Sequence, residues 1–340
     1  MPPTLLPLFT AVLSALLAFY LAPILIRAAL RYGIVDKPKP PLKTHGEPIP
    51  YLGGLVIFVS FLMALAVTFP FEPKVLAVLL SASLVVSVGL IDDLGALTPR
   101  DKLLGQLVAA VVLVKAGVHI QITVVPDPID DVVSVLWLVT CMNAFNIVDV
   151  SDGLATTAGA IGAAGALAVA LLNREPLVAA MAASLLGACV GFLRVNRQPA
   201  RMYLGDTGSM LLGAVLGSLA MIGRYSESNR VSPWFVPLVL CAIPLFDLTL
   251  VVVARLLSGK KIWLGSPDHF AVRLRHHGVS ARTTARAAGL VGLLAIGAGV
   301  TSTLLDLEGA LIIFAAVVAV GVALLVLMLV RFPPRPPAQP

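Results

Sequence analysis

The stretch Gly309-Ala-Leu-Ile-Ile-Phe-Ala-Ala-Val-Val-Ala-Val-Gly-Val-Ala-Leu-Leu-Val-Leu-Met-Leu-Val330 contains no charge, no proline and no polar side chain. A hydrocarbon core of ~30 Å is crossed by roughly 20 apolar helical residues, so this run predicts a membrane span. Working toward the N-terminus, apolar runs recur at about 287–304, 231–254, 208–223, 177–192, 153–172, 132–148, 103–118, 75–91, 52–69 and 4–26. The pattern predicts an all-α polytopic membrane protein with about eleven transmembrane helices. Lys115 interrupts the fourth run, where a lysine near a helix end can snorkel to the interface. Asp247 lies inside the ninth. The first run lacks a basic leader and is too long for a signal peptide.

The composition agrees. Of 340 residues, 59% are hydrophobic and 12% charged, too few charges to dress a soluble surface. Disorder needs the opposite balance. The three cysteines, Cys141, Cys189 and Cys241, each sit in an apolar run, which excludes a disulfide scaffold. Nineteen of the 24 Lys and Arg residues fall in alternate connections. The excess of cations on one side predicts an outer N-terminus and a cytoplasmic C-terminus. The net charge of +6 is therefore a topology signal, not a nucleic-acid surface. Residues 1–331 read as one membrane domain and 332–340, with five prolines, as a disordered tail. A short outer β-hairpin is expected at Val118–Val125, where His119, Gln121 and Thr123 alternate with apolar residues.

With the spans assigned, the acids gather on the cation-rich side. Asp92-Asp93 ends one span, Asp149-Val-Ser-Asp152 joins two, and Gly205-Asp206-Thr207-Gly208-Ser209 opens another. Carboxylates converging among cations suggest a metal ion and a phosphorylated substrate, since Mg²⁺ takes one or two carboxylates and bridges to phosphate oxygens. Asn143, Asn146 and Asp149 share a helical face at three-residue spacing. Asn residues in spans also serve as interhelical glue. The loop holding Lys43, His45, Pro48 and Pro50 is basic and stiffened by proline. The loop from Pro267 to Gly278 collects His269, Arg273, His276 and His277, which suit phosphate better than zinc. Asp247 reads equally as a functional acid and as an interhelical hydrogen-bonding group.

Lys43-Thr-His45 with Pro48-Ile-Pro50 and Gly53-Gly54, then Asp92-Asp93 with Lys102, then Asn143-x-x-Asn146-x-x-Asp149-x-x-Asp152-Gly153, then Gly205-Asp206-x-Gly208-Ser209, occur in an order that resembles the polyprenyl-phosphate N-acetylhexosamine-1-phosphate transferases. The bacterial UDP-GlcNAc:undecaprenyl-phosphate branch is the nearer match in span number and in Pro267-Asp268. The resemblance implies a Mg²⁺-dependent reaction, with Mn²⁺ as an alternative ion, at the cytoplasmic face of the inner (plasma) membrane. A polyprenyl phosphate attacks a UDP-amino sugar, leaving a lipid-linked sugar and UMP. Carried over by motif, Asp206 and Asp152 are implied metal ligands. Asp92, Asp93, Asp149, Asp152 and His269 are the implied catalytic set. Lys43, His45, Lys102, Asn143, Asn146 and Arg273 are implied to bind substrate. A homodimer is common in such enzymes.

Two departures from the family pattern stand out. Val150 replaces the first glycine of Asp-Gly-x-Asp-Gly, and the His-x-His-His cluster is reduced to His269, with His276-His277 beyond it. The alternatives are a phospho-N-acetylmuramoyl-pentapeptide transferase, another UDP-hexosamine donor, or, in a different class, a secondary transporter. The transporter would set polar residues at the bilayer midplane between two repeats. Here the acids line up at one membrane edge, Asp247 excepted, and no repeat is visible.

Overall fold

The computed structural model describes residues 5–36, 48–120, 127–225, 229–261 and 267–333. Every one of the eleven apolar runs is helical. The first four are α1 (Leu5–Tyr32), α2 (Gly53–Thr68), α3 (Pro73–Asp93) and α4 (Pro99–Lys115). They are followed by α5 (Asp127–Val148), α6 (Leu154–Leu172), α7 (Pro176–Asn196) and α8 (Gly205–Ile222). The chain ends in α9 (Ser232–Leu240), α10 (Ala242–Leu257), the short α11 (Phe270–His276), α12 (Ala281–Ser302) and α13 (Leu307–Arg331).

Among the described residues, eight helices are long and apolar enough to cross a membrane, or nine if the bent pair α9–α10 counts as one span. This is fewer than eleven for identifiable reasons. Helices α2 and α4 have 16 and 17 residues, and α4 carries Arg100, Asp101, Lys102 and Lys115. The run at 231–254 is broken at Cys241, and its halves meet at 80°. Pro244 explains the break: without an N–H it cannot donate to the carbonyl of Leu240, four residues back.

The core is apolar as in a soluble domain, but the outer surface is apolar too. Large apolar side chains such as Leu290, Leu294, Ile312 and Val320 face outward, while Ser14, Ser60, Gln106, Thr156 and Ser184 are buried. The hydroxyls of Ser14, Thr156 and Ser184 tie helices together, as expected where apolar burial cannot distinguish neighbour from lipid. Ser14 Oγ donates to the Ser184 carbonyl at 2.7 Å, and Ser184 Oγ to that of Phe61 at 2.9 Å, linking α1, α7 and α2. Helix α8 is buried almost throughout and packs on α3, α5 and α2. Gly54 and Gly208 allow the α2–α8 approach, since a Cβ on Gly54 would lie 2.3 Å from the Gly208 nitrogen.

The ends of α1, α3, α5 and α7 and the starts of α2, α4, α6 and α8 meet at one end of the bundle. There Val35–Asp36 (β1) and Ile49–Pro50 (β2) form a two-residue antiparallel pair. Its exit is fastened to the approach to α8, because Tyr203 N donates to the Pro50 carbonyl and Gly54 N to that of Leu204. The hairpin expected at Val118–Val125 falls largely on residues 121–126, outside those described, as does the tail beyond residue 333.

Candidate active site

A cleft of about 710 Å³ opens at this end of the bundle, lined by Asp36, Asp92, Asp93, Asp149, Asp152 and Asp206. Asp36 comes from β1, and the other acids are delivered by helix ends and the α5–α6 connection. Asp92 and Asp93 are the last residues of α3. A capping box between Thr98 and Asp101 fixes the start of α4 and so the position of Lys102. Asn146 lies in the last turn of α5, and Asp149 leaves it. Asp206 is the second residue of α8.

Lys102 is the hub. Its Nζ lies 2.8 Å from Asp92 Oδ2, 2.7 Å from Asp206 Oδ2 and 3.1 Å from Asn146 Oδ1. Asn146 Nδ2 donates in turn to Asp206 Oδ1 and, at 3.0 Å, to Ser209 Oγ. Asp93 is employed differently. Its Oδ1 accepts from Asp206 N at 2.7 Å, and its Oδ2 from Thr207 N at 3.2 Å and Thr207 Oγ1 at 2.6 Å. The Asp206 and Thr207 N–H groups that open α8 are thus taken by the protein's own carboxylate. Gly205 makes this possible: its φ is +73°, and a Cβ there would meet Asp93 Oδ2 at 2.6 Å.

Asp152 Oδ2 accepts from Ala200 N at 3.0 Å. Burial first, and then the charges of Asp206, Asp93 and Asp152, push the Asp149 carboxyl well above the usual range. Val150 adopts an ordinary backbone, for Arg174 is the sole non-glycine with positive φ among the described residues. A β-branched residue therefore fits where the family carries glycine.

Other expected residues lie elsewhere. Asn143 donates to Gln106 Oε1 at 2.7 Å and to the Val139 carbonyl at 2.8 Å, which makes it interhelical glue rather than a ligand in the cleft. Arg273 sits away from the cleft lining in this structure. It is 1% exposed, and its guanidinium donates to Asp268 Oδ1 and to the carbonyls of Asp268, Met328 and Phe332. Such a buried, engaged cation pins α11 to the end of α13. His269 does not line the cleft; its Nδ1 lies 2.9 Å from Asp247 Oδ2, while Phe270 N donates to Asp247 Oδ1. Asp247 thus takes the hydrogen-bonding role. His277 Nδ1 sits 2.9 Å from the Arg273 carbonyl, and its ring meets Phe332 edge-on. Lys43 and His45 lie outside the described residues.

Comparison with known proteins now bears on this geometry. A family model described as "Glycosyl transferase family 4" matches residues 75–224. The chain is 30% identical over 292 residues to the Bacillus subtilis protein named "Probable undecaprenyl-phosphate N-acetylglucosaminyl 1-phosphate transferase", covering 83% of this chain and 81% of that one. It is 31% identical over 344 residues to the Mycobacterium tuberculosis "Decaprenyl-phosphate N-acetylglucosaminephosphotransferase", with 89% and 84% covered. The chain belongs to the polyprenyl-phosphate N-acetylhexosamine-1-phosphate transferases. A Synechocystis "Phospho-N-acetylmuramoyl-pentapeptide-transferase" matches at 33% over 236 residues, 63% of each chain.

In this transferase the cleft also gathers residues that sequence reasoning passed over. Tyr51, Asn196, Tyr203 and Arg275 line it. Tyr51 OH donates to Asp36 Oδ1 at 2.8 Å, and the rings of Tyr51 and Tyr203 lie 6.5 Å apart. Burial holds both phenols up, Tyr203 to about 12, so both stay neutral donors. Asn196 accepts from Thr156 Oγ1 and donates to the Met202 carbonyl, fastening the α7–α8 connection. The sole signal in the sequence was proximity: Tyr203 lies three residues before Asp206, and Tyr51 beside Pro50.

Proposed function

We propose that this membrane transferase moves a sugar 1-phosphate, GlcNAc 1-phosphate first among candidates, from a UDP-amino sugar to undecaprenyl phosphate. The observation that carries the reading is Lys102 clamped between Asp92 and Asp206 in an acid-lined cleft at the cation-rich end of the bundle. The names of the relatives supply the substrate classes. An oxygen of the lipid phosphate attacks the β-phosphorus of the UDP-sugar. A new P–O–P linkage forms, the bond to the α–β bridging oxygen breaks, and UMP departs with that oxygen. Phosphoryl transfer of this kind depends on positioning and charge neutralisation.

Among the described residues no three His, Cys, Asp or Glu side chains are grouped to hold a metal ion. The support for a hard divalent cation is the chemistry of the Asp92 and Asp206 carboxylates, now neutralised by an ammonium, since Mg²⁺ takes one or two carboxylates and completes its shell with water and phosphate oxygens. Asp206 and Asp152 would hold Mg²⁺, or Mn²⁺, which neutralises diphosphate charge when bound. Asp92 stands beside the acceptor phosphate, and Lys102 passes its charge to phosphate oxygens when substrate enters. Asp93 acts through Asp206 by holding the first turn of α8. Asp149 and Asn146 shape the nucleotide side. His269, held through Nδ1 by Asp247 away from the cleft lining, would act on the sugar-phosphate end by family resemblance alone. Lys43 and His45 complete the phosphate contacts by family resemblance. The excess of cations at this end supports a cytoplasmic-facing cleft, and the plasma membrane is the setting that goes with the proposed reaction.

Purified protein mixed with undecaprenyl phosphate and UDP-GlcNAc is expected to release UMP and form a lipid-linked sugar, and EDTA should abolish both. A panel of UDP-sugars fixes the donor. Failure of every donor would refute the reading and revive a transporter. Activity after thorough EDTA treatment would remove the metal alone.

A further inference from the structure

A second cavity, about 960 Å³, lies beside the catalytic cleft and is built quite differently. One wall is α12, where Arg282 and Arg286 stand one turn apart, followed along the same face by Leu290 and Leu293. These leucines are 60% and 54% exposed, so the trough opens onto the lipid-facing flank. Thr157 and Ile161 of α6 form the opposite wall, and Arg194 and Arg197 at the end of α7 close the upper rim.

Four arginines against one carboxylate, Asp152, leave the cavity net positive over an apolar floor. Among the described residues none of them forms an ion pair. Arg194 stacks over the Phe19 ring at 3.9 Å, and Arg282 donates to the Gln198 carbonyl at 3.4 Å. Ordinary positive-inside cations project from loops into water. Here guanidinium groups ring a concavity whose lower half is hydrocarbon, the combination that matches a phosphate headgroup carrying acyl chains.

From this geometry we infer that the trough between α6, α7 and α12 binds an anionic glycerophospholipid of the surrounding bilayer. The polyprenyl acceptor is a poorer occupant. Its phosphate must reach Asp92 and Asp206, whereas the four arginines line the trough and not the catalytic cleft, whose guanidinium is Arg275. The two cavities share Asp152 and Gln198 as a common wall. A lipid in the trough therefore braces the segment that presents Asp152, and binding there is coupled to the order of the catalytic cleft.

The test is lipid binding, which does not depend on the transferase reading. Full-length protein is placed in nanodiscs of phosphatidylcholine with or without phosphatidylglycerol, and retained lipid is read by native mass spectrometry alongside thermal unfolding. Wild-type protein is expected to retain phosphatidylglycerol selectively and to unfold at higher temperature with it. Arg282→Gln/Arg286→Gln should weaken that selectivity about tenfold or more. Arg27→Gln/Arg31→Gln, at the exposed end of α1, should leave it unchanged. Ile161→Trp, which fills the apolar floor without touching charge, should also displace the lipid and serves if the arginine variant does not fold. Equal loss in the α1 control, or wild-type selectivity in both trough variants, would overturn the site. Stoichiometric displacement of phosphatidylglycerol by undecaprenyl phosphate would make the acceptor the occupant and refute the assignment.

Discussion

Lys102 and Asp149 carry the electrostatics of the site in opposite senses. Lys102 neutralises Asp92 and Asp206 at once, so Lys102→Met leaves two adjoining carboxylates without their cation. The rate of UMP release should fall ~10²–10³-fold. The thermal shift on adding Mg²⁺ should exceed that of the wild type, since the ion then supplies all the missing charge. Asp149 has its carboxyl raised, so the folded protein holds that proton more tightly than the unfolded chain. The charged form destabilises the fold at pH above the raised value, and the penalty vanishes as pH falls to the ordinary carboxylate range. Asp149→Asn should therefore raise the unfolding temperature of metal-free protein at pH 8 while abolishing activity. The gap should close toward pH 4. Unfolding scans of both proteins across that range check the sign. Asp92, Asp206, Asn146 and Lys102 were legible as a polar set, but their division of labour was not. Adjacent Asp92 and Asp93 look equivalent in a string, and the hydrogen bonds to α8 alone separate them.

At the scale of elements, the first turn of α8 is the part with least tolerance. Gly205→Ala adds a Cβ against the Asp93 carboxylate at a positive φ, a conformation that disfavours an L side chain by ~1–2 kcal/mol. Transfer should be lost while the rest of the bundle stays folded, measurable as low UMP release from protein with a near-wild-type helical circular dichroism spectrum. Gly54→Leu acts on α2–α8 packing, and overpacking there should cost about 1–3 kcal/mol, read as a lowered unfolding temperature. The helices themselves were legible, because a long apolar run in a bilayer has no other way to satisfy its backbone. The 80° break at Cys241 was signalled by Pro244 yet hidden inside an apolar run. The partners of Arg273 were hidden for a related reason: a cation in a loop near histidines gives no sign of the carbonyls at the end of α13 that it meets in the fold.

For the whole molecule, the distribution of charge predicts which end faces the cytoplasm. The three native cysteines are buried, so engineered ones report cleanly. Arg230→Cys should react with a membrane-impermeant maleimide in intact cells, and Ala96→Cys only after the cells are opened. The reverse pattern would invert the topology and place the cleft outside.

The sequence alone determined the material of this protein. Scarce charge and long apolar runs require membrane helices, and the unequal cations predict an orientation for them, because water and hydrocarbon select residues one at a time. Motif order likewise identified the family, since chemistry on phosphates needs those side chains in any member. Tertiary structure decided the partnerships: Lys102 with Asp92 and Asp206, Asp93 with α8, Asn143 with Gln106, Arg273 with α13. These contacts join helices far apart in the chain, and no local periodicity encodes which distant terminus a short polar side chain will meet. The arginine trough arises in the same way, from three helices whose cations look separately like ordinary topology signals.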